Sequence, residues 1–515
     1  MFRAVLLTYG ILVIKKLNQG HSAALPNVLL ILADDLGYGD LWSYGSGSNP
    51  YNEIDWLAEN GIRFTQFYSA DSMCSPARAG LLTGRLPIRS GIVGGFRVFI
   101  QRDTGGLPEY ELTVAEILRW YGYRTGMVGK WHLGINRYNS TDGYHLPSRH
   151  GFDYVGVNLP FSNLWQCDET GFFQSKPDPY MCFLYEGDRI IQQPLRHEGL
   201  TERMLDGFRQ FIRTNGDAPF FFYYSFPQVH TDLWTSPAFR GQTKSLYGDN
   251  LREMAWAVGE LRLILESNRL DRNTLVIFMS DHGPHREMCG AGGSTGGLKG
   301  GKANSYEGGF RIPVIAYWPG VIEPGQVSDS VFWAVDILPT LVRLAEGSLP
   351  PDRQYDGLDV LANLLNSHAN GDRLFRRCIL YYCNKHLMAI RYGSYKFHYY
   401  TVPLMTVQDQ NANCPAGWPL RDWYVSQTCP DSDLIRYDPP LTYDLGRDPG
   451  EQFPIDPYTV LDFLEAANRC REDHFRTLIP APDQLGNYDF AAIPCCNPPD
   501  CRCNYARSRD YWWIN

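Results

Sequence analysis

The sequence contains no strong excess of positive charge, no internal repeat and, beyond its N-terminal segment, no long apolar run. The formal net charge of −9 is not typical of nucleic-acid binding and argues against a broad cationic groove, although a local basic pocket is compatible with it. No stretch after the N-terminal segment approaches the ~20 apolar residues of a membrane-spanning helix. The 44% hydrophobic and 20% charged fractions are those of a globular protein.

The N-terminal segment has the layout of a cleaved signal peptide. Met1-Phe2-Arg3 precedes the mostly apolar run Ala4–Ile14, and small residues follow at Ser22–Ala24. That apolar core is too short to span a bilayer, and we interpret residues 1–24 as a leader. Lys15-Lys16 directly after the core is unusual and leaves the cleavage site open. A buried N-terminal strand is the alternative.

The cysteine count indicates an oxidising compartment. Thirteen cysteines are many for a reduced cytosolic enzyme, so we expect the secretory pathway, with a secreted or lysosomal destination. If Cys74 is set aside, an even number remains for disulfides. The crowding of Cys495, Cys496, Cys501 and Cys503 favours local bridges in the C-terminal tail. The sequon at Asn139 adds weak support for a glycoprotein.

Several short apolar runs end in polar or glycine-rich loops, and helical stretches lie between them. Continuous apolarity predicts strands that are covered on both faces, and the repeated order of strand, loop and helix predicts a doubly wound α/β domain with a mostly parallel sheet. Polar side chains follow four of these strands, where the active sites of such sheets lie. The four runs are Val28–Ala33, Tyr123–Val128, Phe220–Phe226 and Leu275–Met279, and the helical stretches are Leu112–Trp120, Glu202–Arg213 and Asn250–Leu265.

At 515 residues the chain is long enough for one large domain and a smaller one. After about residue 375 tyrosine, proline and cysteine rise, and we place the large α/β domain at 25–375 and a smaller α+β domain at 376–515. Met388–Tyr392 and Tyr395–Tyr399 flank Gly393-Ser394, which predicts a hairpin within a small antiparallel sheet. We expect a helix at Val460–Arg471, followed by a disulfide-rich tail.

The string Cys74-Ser75-Pro76-Ala77-Arg78 carries the most specific chemistry. Pro76 suits the first turn of a helix, which places Cys74 at the helix N-terminus, where free amides and the helix dipole favour an anion. Arg78, four residues on, lies on the same face and could fork onto a tetrahedral oxyanion. A nucleophile beside an anion cradle is what hydrolysis of a sulfate or phosphate ester requires.

Together with Leu82-Thr83-Gly84-Arg85, this string resembles the signature of the sulfatase family, in which the cysteine is oxidised to formylglycine. The resemblance runs from Pro26 to the tail cysteines, is closest to the steroid sulfatase and arylsulfatase branch, and implies an alkaline-phosphatase-like sheet. Lys299–Asn304 and Tyr306–Gly309 carry that closeness. The apolar hairpin that the branch inserts between the regions matching Cys167 and His230 is missing, which predicts no membrane span in the mature chain.

Asp34-Asp35 and Asp281-His282 predict a metal site, because carboxylates at the ends of two strands offer a hard cation its oxygen ligands. A lone Asp-Asp pair would be only a solvated turn. The resemblance implies that these positions and the formylglycine from Cys74 ligate one Ca2+ ion. His282 departs from the Asn or Gln that arylsulfatase-like members often carry, and an imidazole leaves the identity of the metal open.

The resemblance also implies roles for four further side chains. Lys130 would hold the sulfate and His132 would orient and later deprotonate a formylglycine hydroxyl, while His230 and Lys302 would face the leaving-group oxygen. Ser162 or Asn163 could add a hydrogen bond to the sulfate. His145, His150 and His285 receive no role.

The predicted activity is hydrolysis of an aryl, steroid-like or sugar sulfate through a formylglycine–sulfate intermediate. The expected partners are the sulfate ester, the formylglycine-generating enzyme during maturation, and in one alternative a second copy of the chain. Three other functions stay open. They are a phosphate or phosphonate ester hydrolase of the same superfamily, a non-catalytic sulfate-binding relative, and a glycosaminoglycan exosulfatase. The last stays open because some glycosaminoglycan sulfatases carry Asp-His at the position of Asp281-His282.

Overall fold

A computed structural model describes residues 25–161, 182–193, 195–369, 372–420 and 423–494. The predicted leader, Ser162, Asn163, Cys167 and the four tail cysteines lie outside the described residues.

A ten-stranded mixed sheet forms the centre of the molecule, with the strand order β10-β2-β9-β8-β1-β7-β3-β4-β5-β6. The five neighbours from β8 to β4 run parallel, as the apolar runs predicted. Antiparallel pairing joins β9 to β8 and to β2 on one side and β5 to β4 and to β6 on the other. The strands are β1 (Asn27–Ala33), β2 (Ile62–Tyr68), β3 (Arg124–Lys130), β4 (Tyr154–Leu159), β5 (Leu184–Glu186), β6 (Arg189–Gln192), β7 (Phe220–Ser225), β8 (Thr274–Ser280), β9 (Arg311–Tyr317) and β10 (Gln326–Trp333).

The centre of the sheet is buried on both faces because successive side chains of an apolar strand point to opposite sides. In β1, Leu29 and Ile31 belong to one apolar core, and Leu30 and Leu32 belong to the other. The first core is covered by α1, α5 and α6, and the second by α2, α4, α8 and α9. These helices are α1 (Glu53–Glu59), α2 (Cys74–Thr83), α4 (Val114–Trp120), α5 (Leu200–Asn215), α6 (Leu246–Ser267), α8 (Ile337–Leu344) and α9 (Leu361–Leu365); the short helices α3 (Pro87–Ser90), α7 (Glu307–Phe310) and α10 (Asp372–Phe375) lie among the loops.

The smaller C-terminal domain is built on a four-stranded antiparallel sheet with the order β11-β12-β13-β14. Its strands are β11 (Cys378–Cys383), β12 (His386–Tyr392), β13 (Tyr395–Thr401) and β14 (Ile435–Asp444), and its helices are α11 (Val407–Asn413) and α12 (Leu461–Thr477). The predicted hairpin joins β12 to β13, with Gly393 at a φ of 63° that glycine adopts without strain. The fold class is therefore confirmed; the boundary at 375/376 stays a prediction.

Disulfides tie the smaller domain together and to the large one. The described pairs are Cys289–Cys414, Cys378–Cys470 and Cys383–Cys429. The predicted bridges among the four tail cysteines lie outside the described residues. Within the parts of the chain that the structure covers, no helix is both long and apolar enough to cross a membrane.

Candidate active site

The polar residues that follow the central parallel strands meet at one edge of the large sheet. Ala33 of β1 pairs with Ser280 of β8, so Asp34 and Asp35 emerge beside Asp281. The Asp35 backbone amide donates to Asp281 Oδ1 at 3.1 Å. All three carboxylates are at most 3% exposed. Parallel pairing therefore assembles the acidic cluster at the carboxyl ends of the strands.

Cys74 is the first residue of α2, directly above this cluster. Its side chain is buried, and it is the free cysteine of the described chain. Cys74 Sγ lies 3.8 Å from Asp34 Oδ1 and 3.3 Å from His282 Nε2. Pro76 occupies the first turn of α2, as the sequence predicted, so its missing N–H costs no helical hydrogen bond.

Arg78 points its guanidinium into the acidic cluster. Its Nη2 lies 3.2 Å from Asp34 Oδ1 and 2.9 Å from Asp281 Oδ2, while Nη1 donates to the Lys130 carbonyl at 3.0 Å and to Ser225 Oγ at 2.7 Å. The side chain is fully buried. In this arrangement Arg78 orders the two carboxylates, whereas the sequence suggested a fork onto a substrate oxyanion.

Two buried lysines neutralise the other carboxylate oxygens. Lys130 Nζ lies 2.5 Å from Asp34 Oδ2, and Lys302 Nζ donates to both Asp35 oxygens at 2.8 and 2.7 Å. Burial alone would raise the pKa of Asp34, but Lys130 and Arg78 outweigh it, so this pKa is lowered. Burial would lower the pKa of Lys302, yet Asp35 holds it well above its usual value. The carboxylates are ionised at neutral pH, and so is Lys302.

The three site histidines differ in protonation because their neighbours differ. Burial and the Lys302 charge lower the pKa of His230 to about 4. Burial, with Lys130 and Arg78, lowers the pKa of His132 well below its ordinary value. For His282 burial acts in the same direction, but Asp281 and Cys74 outweigh it and raise the pKa to about 9.

His132 and His230 also keep ring nitrogens free for other partners. His132 Nε2 lies 3.0 Å from the Phe99 carbonyl. His230 Nε2 lies 3.8 Å from Asp35 Oδ2. Among the described residues, the Nδ1 atoms of both rings have no hydrogen-bond partner. Buried polar atoms of this kind are expected to have a hydrogen-bond partner, so these two nitrogens are available to bind a substrate.

The carboxylates, the thiol and His282 fit a divalent cation. The ligand atoms of Asp34, Cys74 and Asp281 lie within 4.8 Å of one another, and so do those of Asp35, Cys74 and His282. Metal–oxygen bonds of ~2.4 Å place ligands on opposite sides of Ca2+ about 5 Å apart, so one ion could contact both sets. Ionised carboxylates are the form that binds a metal, whereas His282, whose pKa is raised to about 9, has to release its proton before its ring nitrogen could ligate the ion.

Sequence reasoning missed the ion pair that holds the Cys74 loop. Arg97 Nη2 lies 2.5 Å from Asp71 Oδ1, and the same oxygen accepts from the Met73 amide at 3.0 Å. Arg97 Nη1 donates to the Ala303 carbonyl at 2.9 Å, next to Lys302. Both charged side chains are buried. No motif marks Arg97 in the sequence, and its role appears only when the two loops are seen side by side.

The three histidines that received no role lie outside the acidic cluster. His150 stacks on Trp131 with ring centroids 5.7 Å apart, and burial lowers its pKa to about 3. His145 Nε2 lies 3.2 Å from the Thr104 carbonyl. His285 stacks on Tyr424 at 4.1 Å. Each of these contacts fits a packing role.

Two family models match this chain. The model named sulfatase covers residues 26–348, and the one for the C-terminal region of aryl-sulfatase covers residues 375–503. The chain belongs to the sulfatase family.

Individual relatives agree with this assignment. An arylsulfatase of Hemicentrotus pulcherrimus is 44% identical over 95% of this chain and 88% of its own length. A steryl-sulfatase of Rattus norvegicus is 36% identical over 93% of this chain and 95% of its own. The crystal structure of the PsFucS1 sulfatase from Pseudoalteromonas sp. superposes with a TM-score of 0.75 at 28% identity, covering 93% of this chain and 95% of that one. The chain is thus a sulfuric ester hydrolase.

Proposed function

We propose that this sulfatase cleaves its ester with residue 74 as nucleophile, after oxidation of Cys74 to formylglycine, and with one Ca2+ ion in the acidic cluster. The observation that carries the proposal is the position of Cys74. It is a buried free thiol at a helix N-terminus, with ligand atoms of Asp34, Asp35, Asp281 and His282 grouped around it.

Hydration of the formylglycine aldehyde gives two hydroxyls on one carbon. One hydroxyl releases its proton to the solvent as its oxygen attacks sulfur, the sulfur–oxygen bond to the alcohol or phenol breaks, and the leaving oxygen takes up a proton. The second hydroxyl then loses its proton, the bond from that carbon to the sulfate oxygen breaks, and the aldehyde returns as sulfate departs. A serine has no second hydroxyl and could not complete this last step.

The side chains around residue 74 supply the proton transfers and the charge stabilisation. Lys130 and Arg78 place positive charge next to the attacked group, and they also hold the carboxylates around it in position. His132 is neutral at pH 7 and would take the proton of the second hydroxyl. Lys302 carries a proton whereas His230 does not, so Lys302 would protonate the leaving oxygen and His230 would orient it.

The donor set fits the proposed cation through Asp34, Asp35, Asp281 and His282, with residue 74 as a further ligand. When bound, a divalent ion lowers the pKa of a coordinated hydroxyl and draws charge from sulfate oxygens. Ca2+ is favoured over softer metals because three of the four protein donors are carboxylates.

The cleft beside His230 has one aromatic wall among mostly polar residues, and its free volume is about 20 Å³. His197 stacks on Trp234 with centroids 5.5 Å apart, and both line this cleft with Leu200. Flat apolar groups bind well against such aromatic walls. Sulfate esters of phenols or sterols, which the names of the two relatives mention, are the substrates we propose.

Maturation in the secretory pathway follows from the same residues. The disulfides require an oxidising compartment. Cys74 is 1% exposed in the fold, so a formylglycine-generating enzyme would have to act before folding is complete. A homo-oligomer stays a prediction.

The test compares the sulfate and phosphate monoesters of one chromogenic phenol on protein from a secretory host. We expect kcat/KM to be higher for the sulfate by at least about tenfold, and Cys74→Ala to abolish turnover of both. Ser75→Ala, which keeps the neighbouring thiol, serves as the matched control. Faster cleavage of the phosphate would overturn the proposal in favour of a phosphate ester hydrolase.

A further inference from the structure

A second cavity, of about 310 Å³, opens in the C-terminal domain between β13, β14 and α12. It lies within the range of ~300–1,000 Å³ that is usual for small-molecule pockets. None of its lining residues belongs to the group around Cys74. Four tyrosines, two arginines and an asparagine contribute to its wall: Tyr399, Tyr400, Tyr437, Tyr458, Arg436, Arg471 and Asn468.

Arg471 stacks on a tyrosine ring, which leaves its guanidinium N–H groups available to bind an anion. Its guanidinium carbon lies 4.5 Å from the ring centroid of Tyr399, and the Tyr399 hydroxyl donates to Asn468 Oδ1 at 3.0 Å. A guanidinium stacked on a fixed ring keeps its N–H edge free for a planar contact with an oxyanion. The cavity therefore presents a positioned cation beside aromatic surface.

The other arginines of α12 show that this is not general for the helix. Arg469 lies 3.7 Å from Glu465, and Arg476 lies 2.8 Å from Asp473. Within the described ranges neither Arg471 nor Arg436 has a carboxylate partner closer than 4 Å. Asp438 is the one carboxylate in the described wall, so the lining carries a net positive charge in a protein whose total charge is −9.

The tyrosines of the cavity wall indicate which chemical group would fit beside the arginines. Tyr458 is 63% exposed, and Tyr399 is buried, so aromatic surface runs from the mouth of the cavity to its base. Tyrosine rings combine an apolar face with a hydroxyl that can donate or accept. That combination suits a sugar ring, which has apolar C–H faces and polar edges, and the arginines suit an anionic group on that ring.

We propose that this cavity is a second binding site, and that it takes a sugar ring bearing a sulfate or phosphate ester. The site does not depend on the chemistry of residue 74. A sulfated or phosphorylated glycan held there would be retained at the enzyme independently of turnover at the catalytic centre.

The test measures calorimetric binding of a short glucose oligosaccharide in three forms: sulfated, phosphorylated and unesterified. The full-length chain carries Cys74→Ala, so that no probe is hydrolysed. We expect an esterified form to bind, and Arg471→Gln to weaken it by about tenfold or more, the usual effect of losing a charge-assisted hydrogen bond. Arg469→Gln, on the same helix, is the matched control and should bind as the parent does.

The outcomes separate the sources of the anion and the rival explanations. Binding of one esterified form alone identifies sulfate or phosphate as the group recognised. Equal affinity of the Arg471→Gln and Arg469→Gln proteins would overturn the proposal, and so would equal binding of the unesterified sugar. Binding of inorganic sulfate as tightly as the sulfated sugar would overturn the saccharide part. If Arg471→Gln does not fold, Arg436→Gln and Tyr458→Ala, both at exposed positions, take its place.

Discussion

The site around Cys74 and the junction of the two domains both bury ionised side chains, but they arrange them differently. At the junction, which we call the interface cluster, Lys396 Nζ lies 3.1 Å from Glu307 Oε1 and 3.3 Å from Glu451 Oε1. His398 Nε2 lies 2.6 Å from the same Glu451 oxygen. All four side chains are fully buried. One lysine and one histidine are thus placed between two carboxylates.

In the interface cluster the remaining carboxylate oxygens also have donors. Glu307 Oε2 accepts from Tyr68 at 2.7 Å, and Oε1 accepts from Tyr381 at 3.1 Å. Glu451 Oε2 accepts from the Glu307 amide at 2.6 Å. Each carboxylate is satisfied within the fold, which is what a structural ion cluster needs if burial is not to cost stability.

Around Cys74, by contrast, three carboxylates converge on one another. Burial raises the pKa of all three carboxylates, and a neighbouring carboxylate raises each one further: Asp281 acts on Asp34, Asp34 on Asp35, and Asp35 on Asp281. The nearby cations outweigh both effects and keep all three ionised. Arg78, Lys130 and Lys302 supply positive charge around these carboxylates, and a bound cation would add it between them. Both regions bury charge, so burial alone does not distinguish them. The difference is that the carboxylates of the candidate active site point towards one another, whereas those of the interface cluster point towards a lysine and a histidine of the fold.

The largest effect should come from residue 74. Cys74→Ser should lower steady-state turnover of an aryl sulfate by at least ~10³-fold, the scale for loss of a nucleophile, while the free energy of unfolding changes little. The serine can accept the sulfuryl group once but cannot release it. Intact-mass measurement after exposure to substrate should therefore find protein that carries one sulfate. Steady turnover by this variant would contradict the role given to a second hydroxyl.

Breaking the interface cluster should have the opposite signature. Lys396→Met leaves Glu307 and Glu451 buried without their shared cation, and we expect it to cost about 3–5 kcal/mol of unfolding free energy. Turnover per folded molecule should stay within about twofold. Urea denaturation and an aryl sulfate assay on the same samples measure both quantities. Lys385→Met, which removes an exposed lysine paired with Asp483, is the control and should cost less than ~1 kcal/mol.

Calcium should stabilise the site and leave the interface cluster unaffected. A ligand at 100 times its dissociation constant raises the unfolding free energy by about 2.7 kcal/mol. We expect this increment in the wild type and in Lys396→Met, but not in Asp35→Asn. Denaturation with Ca2+ and with a chelator measures it. A calcium increment that survives in Asp35→Asn would place the ion elsewhere.

The smallest effect concerns His474, which lies near the junction of the two domains but outside the interface cluster. Burial and Arg89 lower the pKa of His474 to about 4, and its ring lies 2.6 Å from the Tyr382 hydroxyl. A folded pKa below the unfolded value gives stability that is complete above pH 6.5 and is lost as the pH falls towards 4. Between pH 7 and 5 the wild type should lose about 2 kcal/mol more unfolding free energy than His474→Gln. Parallel pH profiles of the two proteins would contradict this prediction, because they would mean that the pKa of His474 is the same in the folded and the unfolded chain.

The parallel strands of the fold could be predicted because their apolar runs are continuous and end in recognisable loops. The predicted bounds of β1 and β8 differ from the structure by one residue at each altered end. The edges of the sheet could not be predicted. The antiparallel β9 is inserted between β8 and β2, and that order is set by tertiary packing rather than by any local pattern.

The positions of the site residues were predictable from motif and strand ends, but their contacts were not. The sequence places Arg78 near Cys74, yet only the fold shows it between Asp34 and Asp281. The Asp71–Arg97 pair was missed because the two residues come from different loops. Glu307 lies in the segment Tyr306–Gly309, which we used only as evidence for the family resemblance. Its contact with Lys396 could not be predicted because Lys396 belongs to the second domain.

The central claim is that Cys74 is a modified nucleophile, and the mass of the tryptic peptide from Phe64 to Arg78 tests it most directly. The account predicts that protein from a competent secretory host yields this peptide with formylglycine at position 74, and that the modified fraction tracks turnover of an aryl sulfate across preparations. An unmodified cysteine in protein that hydrolyses sulfate esters at full rate would contradict the account.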